Sequence, residues 1–430
     1  MLSMDRTDAL VVLCVLLLVS AFSGGIGYLA LTIGESPGSD DPSVVETDAD
    51  ETINTIHEAG ITGENVSIGV LDVTSFDIEY PLLQNRIVAA NEFGSGASAV
   101  DGGDSHGTSV AATIARTAPD AELYLATFET PDDYEAGLEW LITRDVDVVV
   151  APVADAGTLG GGSSQLAQST TKATERGVVV VAPAGNLGTG HWSGNYSPDG
   201  TGTHTFESGS LNKVTGAPGR AEFHLSWEDP DEEYLLELHR INDGGSISRV
   251  AQSLPREHGN TPSERLTARL DADNYALAVS GPKRETGTRL RIASATHSLT
   301  DNRPSGSIAA PADAPGVISV GAIDSTSDEV EPYSSRGPTT DGRLGVYVVA
   351  SGSQPTRISP SFEGTSAAAA YVGGIAALVV DASPTLEPNE VRWTITSTAE
   401  PVDGIDVETG HGRVDPREAV LAADSSFESE

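Results

Sequence analysis

The chain has 430 residues, with 63 acidic against 24 basic side chains and a formal net charge of −39. That balance excludes nucleic acid as a partner, because phosphate binding needs clustered Lys and Arg, and it excludes docking on anionic lipid through a basic patch. The acid is spread along the chain, only three basic residues are Lys (Lys172, Lys213, Lys283), and aromatics are 5%. This pattern reads as the hydrated surface of a halophilic protein; an ordinary acidic secreted protein is the alternative. The single Cys14 permits neither an internal disulfide nor a Cys-based metal site.

Residues 1–34 read as a transmembrane anchor. Ala9 to Gly34 is apolar and uncharged, longer than the ~20 residues that span a bilayer. Arg6 precedes it and acids follow, which places the N-terminus in the cytoplasm and the rest of the chain outside the cell membrane. A cleaved signal peptide, and hence a secreted protein, is the competing reading. Residues 35–50, rich in Ser, Pro, Asp and Glu, read as an acidic linker.

From residue 51 to 189 short apolar runs alternate with helical stretches. Strands are expected at Val66–Leu71, Glu122–Phe128, Val146–Val150 and Val178–Ala182, and helices at Ser109–Arg116, Asp132–Thr143 and Ser164–Arg176. Such alternation predicts an α/β fold, a parallel sheet with helices on both faces. The character changes at residues 190–303. Glu222–Trp227, Tyr234–Arg240, Ser263–Leu270, Tyr275–Ser280 and Arg289–Ala293 are short strand candidates between Gly, Pro, Asp and Asn, and several alternate apolar with polar residues. They predict a small β-sandwich inserted into the α/β part, with its two ends close together. At 304–424 the α/β pattern resumes, with a strand at Val317–Ile323 and helices at Ser366–Val380 and Asn389–Thr398; residues 425–430 are a tail.

Four segments carry chemistry. Ile68-Gly69-Val70-Leu71-Asp72 ends a buried strand in a carboxylate, at the edge where open α/β sheets place their sites. His106-Gly107-Thr108 starts a small-residue helix, Ala184-Gly185-Asn186 follows another buried strand, and Gly364-Thr365-Ser366 opens a long Ala-rich helix. Asp, His and Ser in this order suit nucleophilic acyl transfer. Ser needs an adjacent base, His supplies one near neutral pH, and a buried Asp fixes the imidazole. An Asn amide beside the Ser N–H can hold an oxyanion. Asp77 is the fallback carboxylate if the strand end is misplaced.

These segments resemble the subtilase family of serine endopeptidases over roughly Asn54–Asn186 and Ala314–Ala422. His106 to Ala111 matches H-G-T-x-V-A, Gly364 to Ala369 matches G-T-S-x-A-A, and Ala184 to Asn186 matches A-G-N. Ser334-Ser335-Arg336-Gly337-Pro338 and Gly410-His411-Gly412-Arg413-Val414-Asp415 agree as well. The resemblance implies a subtilisin-like fold, a triad of Asp72, His106 and Ser366, an oxyanion hole from Asn186 and the Ser366 N–H, and protein or peptide substrates. Three departures stand out. Val73 and Thr74 follow Asp72 where the family usually has Thr or Ser and then Gly. Ala370 replaces a Pro, and Ala151–Gly157 replaces the usual cleft strand. A degenerate, non-catalytic binding protein on this scaffold is therefore the rival reading, and a hydrolase of non-peptide esters a second.

No cofactor is expected. The six His of the insert (His191, His204, His224, His239, His258, His297) show no ligand spacing. The Glu228–Glu233 run reads as a solvated acidic turn in preference to a structural Ca²⁺ site.

Overall fold

The computed structural model describes residues 48–94, 105–242, 244–255, 262–271, 274–402 and 404–424. The anchor at 1–34, Cys14, nearly all of the linker, His258 and the tail lie outside these residues. The first part of the chain builds α1 (Asp48–Glu58), β1 (Ser67–Asp72), β2 (Ile87–Glu92), α2 (Ser105–Thr117), β3 (Glu122–Thr127), α3 (Pro131–Ile142), β4 (Val148–Val150), α4 (Gln165–Glu175) and β5 (Val179–Pro183). Next come β6 (Trp192–Asn195), β7 (Asn212–Thr215), β8 (Gly219–Trp227), β9 (Leu235–Ile241), β10 (Ile247–Gln252), β11 (Leu254–Pro255), β12 (Ser263–Leu270), β13 (Tyr275–Ser280), β14 (Arg289–Ala293) and β15 (Ser298–Leu299). The chain then forms β16 (Ile318–Ile323), β17 (Val348–Ser351), α5 (Thr365–Ala382), α6 (Pro388–Ser397) and α7 (Pro416–Ala423).

Seven strands make one parallel sheet in the order β17-β16-β5-β4-β1-β3-β2. Its central strands are apolar on both faces because both are covered. Val148 and Val150 of β4 enter the cluster that holds α2 and α5, while Val149 enters the cluster that holds α3 and α4. Helix starts follow local chemistry. Thr130 and Asp133 form a capping box on α3, and Ser164 accepts from Ala167 N at the start of α4.

Helix α5 is apolar all round because it is buried all round. It is the one described helix long and apolar enough to cross a membrane, and most of it is enclosed in the core. Gly373 and Gly374 let it lie against the sheet and α2. A Cβ on Gly373 would stand 2.3 Å from Val150 Cγ2, and one on Gly374 2.5 Å from Thr117 Cβ. An alanine at either place would overpack the contact, at a cost of about 1–3 kcal/mol.

Residues 190–303 form two five-stranded antiparallel sheets, β10-β9-β13-β7-β15 and β11-β12-β8-β14-β6. One apolar core, with Trp192, Phe223, Leu236, Leu277 and Ile292, lies between them. The ends of this stretch do meet: Arg303 N donates to His191 O at 2.7 Å.

Several elements differ from the sequence reading. Helix α1 begins at Asp48, inside the stretch read as linker. Strand β2 was not expected, because an edge strand with every second residue exposed carries a weak apolar signal. Strand β10 was missed for the same reason, five of its six residues being exposed.

Candidate active site

Strand β1 delivers Asp72 fully buried at its carboxyl end. The turn that follows satisfies one oxygen: Thr74 donates to Asp72 Oδ1 through its backbone N–H (2.9 Å) and its hydroxyl (3.1 Å). The other oxygen, Oδ2, lies 2.8 Å from His106 Nδ1. A carboxylate only accepts, so Nδ1 is the donor and carries the proton, which makes Nε2 the basic nitrogen of the neutral ring.

His106 is the second residue of α2 and is 3% exposed. Its ring meets the ring of Phe362 edge to face, with centroids 5.8 Å apart. The next residue, Gly107, donates its N–H to Thr74 Oγ1 at 2.8 Å. Thr74 thus ties the start of α2 to the carboxylate that faces His106. The hydroxyl expected directly after the Asp is supplied one residue later, so the departure at Val73-Thr74 leaves the carboxylate fully held. Asp77, the fallback, is occupied elsewhere: Oδ1 accepts from Glu79 N at 3.0 Å and its own N–H donates to Thr108 Oγ1 at 2.9 Å.

Ser366 is the second residue of α5, where backbone N–H groups lack intrahelical partners and the helix dipole favours negative charge. Its hydroxyl donates to Pro152 O at 3.2 Å, which brings the segment after β4 against it. Asn186 follows β5. Its Oδ1 accepts from Thr365 N (3.0 Å) and Thr365 Oγ1 (2.9 Å). Because a backbone N–H can only donate, the amide orientation is determined, and Nδ2 is turned toward Gly364. A Cβ on Gly364 would stand 2.9 Å from that nitrogen, and its φ of +125° also favours glycine.

The structure brings Asp72 to His106, and Asn186 to the residue preceding Ser366. Thr74, Thr365, Pro152 and Phe362 complete the site and were missed from sequence. Thr365 had a usable signal inside Gly364-Thr365-Ser366; Pro152 acts through its carbonyl and has none. An Asp-held imidazole, a hydroxyl at a helix start and an amide nitrogen beside it are groups of the kind that support attack on a carbonyl carbon. Among the described residues no group of three or more His, Cys, Asp or Glu is placed to hold a metal ion.

Residues 63–226 and 252–412 match a family model described as the subtilase family. Subtilisin E of Bacillus subtilis (strain 168) is 31% identical over 193 residues, 41% of this chain and 48% of that one. Subtilisin of Bacillus pumilus is 31% identical over 193 residues, 41% of this chain and 66% of that one. The chain spans about half the length of most of the curated relatives it matches. Among solved structures, the Clostridium perfringens CspB protease superposes with a TM-score of 0.66 at 16% identity, covering 88% of this chain and 98% of that one. A lanthipeptide protease gives 0.51 at 15% identity, covering 87% and 94%. These two likenesses are of fold, and the fold is the subtilisin-like parallel sheet with its helices.

Proposed function

The chain belongs to the subtilase family, and we propose that it is a serine endopeptidase working through Asp72, His106 and Ser366. The observation that carries this reading is the buried His106–Asp72 contact, with the second carboxylate oxygen held by Thr74. It leaves His106 Nε2 as the base. Ser366 Oγ leaves Pro152 O, gives its proton to Nε2 and attacks the peptide carbonyl. The oxyanion takes hydrogen bonds from Asn186 Nδ2 and the Ser366 N–H, at the positive end of α5. His106 then protonates the leaving amine. Water, activated by the same nitrogen, hydrolyses the acyl-enzyme and restores the hydroxyl.

The protein and peptide substrates, the tether through residues 1–34 and the outward-facing orientation belong to the same proposal. So does a halophilic, haloarchaeal character, supported by the charge of −39. A tethered protein sediments with membranes and is released by detergent but not by salt washing; mature protein free in the medium points to a secreted form.

A fluorophosphonate probe tests the chemistry. Labelling is expected at Ser366 and should disappear in Ser366→Ala and in His106→Ala. Asp72→Ala should retain a trace. Asn186→Ala should slow turnover by about 10²–10³, the usual effect of losing one oxyanion donor. Thr74→Val should slow it by roughly tenfold, since it leaves a buried carboxylate oxygen short of a donor. If well-folded protein in high salt takes no label, the chain is a binding protein on a degenerate scaffold.

A further inference from the structure

Strand β14 lies between β8 and β6 in one sheet of the insert. Leu290 and Ile292 point into the insert's apolar core, so the strand's alternation turns Arg291 the other way, toward the α/β part. Arg291 is 3% exposed. Its guanidinium donates to three main-chain carbonyls, those of Thr158, Ser307 (3.1 Å) and Ile308 (3.1 Å). All three acceptors lie outside the insert.

Each belongs to a segment that leads to the active site. Thr158 continues the strip that begins at Pro152, the acceptor of the Ser366 hydroxyl. Ser307 and Ile308 precede Ala309, whose N–H donates to Ala184 O at 3.0 Å, in the turn that carries Asn186. The two strips are themselves stitched where Asp155 N donates to Ala310 O at 2.8 Å. From the adjacent strand β8, Ser226 Oγ adds a bond to Gly157 O at 3.2 Å. One buried cation thus holds, from behind, both the strip at the nucleophile and the strip that supports the oxyanion turn. An apolar side chain there would leave these buried carbonyls without a donor, so the site has to be read separately from the fold. A planar fork of donors is what fixes several carbonyls at a set spacing.

We propose that the insert is the rear wall of the substrate cleft and that Arg291 is a positioning residue for an extended polypeptide. It fixes the distance between the Pro152–Thr158 strip, which reaches the Ser366 hydroxyl through Pro152 O and is half-buried at Ala154 and Asp155, and the Ala184–Asn186 turn. This deepens the endopeptidase reading and rests on it.

The test uses the full chain in high salt. For Arg291→Met and Arg291→Lys, KM and kcat are measured on an extended peptide, alongside the rate of labelling by a small fluorophosphonate that does not occupy the strip. Arg291→Met should raise KM about tenfold or more and slow labelling by a clearly smaller factor, since Asn186 remains bonded to Thr365; Lys, which keeps the charge without the fork, should fall between. On a Ser366→Ala background, binding of a fluorescent extended peptide should weaken by the same factor. Unchanged KM and binding would overturn the proposal. So would a parallel loss of KM, labelling rate and thermal midpoint, the mark of a mere structural staple. If Arg291→Met does not fold, Ser226→Ala decides: a KM raised about twofold supports the proposal and an unchanged KM overturns it. Wild-type protein that binds the peptide but takes no label would sink the endopeptidase reading, whereas labelled protein with unchanged KM in Arg291→Met would sink this proposal alone.

Discussion

The α/β part and the insert are acidic to very different degrees. Residues 190–303 carry 12 basic and 16 acidic side chains, while the other 316 residues carry 12 and 47. Within the insert the arginines face carboxylates: Arg265 with Glu222 (2.8 Å), Arg284 with Glu232 (2.6 Å), Arg240 with Asp271 (3.4 Å), and Arg249 with Glu237. The cores differ too. The α/β part packs small residues closely, as where Ala367–Ala370 of α5 meet α2. The insert packs rings edge to face, with Trp192–Phe206 centroids at 5.0 Å, Tyr196–Tyr234 at 4.8 Å and Trp227–Tyr234 at 5.5 Å. Self-repulsion is therefore concentrated in the region that carries Asp72, His106 and Ser366. An average charge conceals where on the chain the excess acid lies.

The strongest way to break this contrast is to remove salt. The screening length grows from about 3 Å at 1 M to roughly 30 Å at 0.01 M, so the excess acid of the α/β part repels itself over far longer distances. Dialysis to low salt should abolish probe labelling at Ser366 and most helical circular dichroism. The near-ultraviolet signal of buried Trp192 and Trp227 in the insert should persist. Loss of both at the same salt concentration would show that the charge difference does not govern stability.

Phe223→Ala approaches the contrast from the other side. Phe223 is fully buried in the insert's core, and truncation there costs about 3–5 kcal/mol. The insert's thermal transition should drop steeply, with fluorophosphonate labelling retained while KM for an extended peptide rises. Equal loss of labelling would mean that the two regions unfold as one unit.

Acid should act on the insert through two buried histidines. Burial, helped by the charge of Arg291, lowers His191 to about 3, and burial with Arg303 lowers His204 to about 4. Both start from an ordinary value of 6.5. The unfolded chain therefore binds protons that the fold does not. The stability these neutral rings allow is complete above the ordinary value and falls as pH drops toward 4 and then 3. The midpoint of the insert's transition, followed from neutral pH downward, should decline across that window; a flat profile would contradict the assignment.

The smallest effect is expected from Arg176→Gln, which breaks an exposed pair with Glu139 across α3 and α4. In high salt it should change stability by less than about 0.5 kcal/mol, measured by denaturant titration.

What could be read from sequence was whatever is written locally. The valine runs of β4 and β5 announce doubly covered strands, and the His106, Asn186 and Ser366 segments each carry their own few-residue signature. Asp72 was legible because a carboxylate closes an apolar run. The couplings between them were not. Thr74 to Gly107 N, Thr365 to Asn186 and Arg291 to Thr158 are bonds between distant stretches, often to backbone atoms, and leave no periodicity. Edge strands such as β2 were hidden because half-exposed residues dilute the apolar pattern. The role of the insert was invisible for the same reason, since Arg291 looks in sequence like any other arginine in an alternating strand.

The contact of Ser366 with Pro152 joins residues 214 positions apart, and that of Thr365 with Asn186 joins residues 179 apart, whereas Asp72 and His106 are separated by only 34. The Asp–His contact is complete within the first 106 residues, whereas Ser366 follows the entire insert. The chain order thus places the Ser366 hydroxyl last, on a helix whose partners in the sheet and in α2 all precede it in sequence.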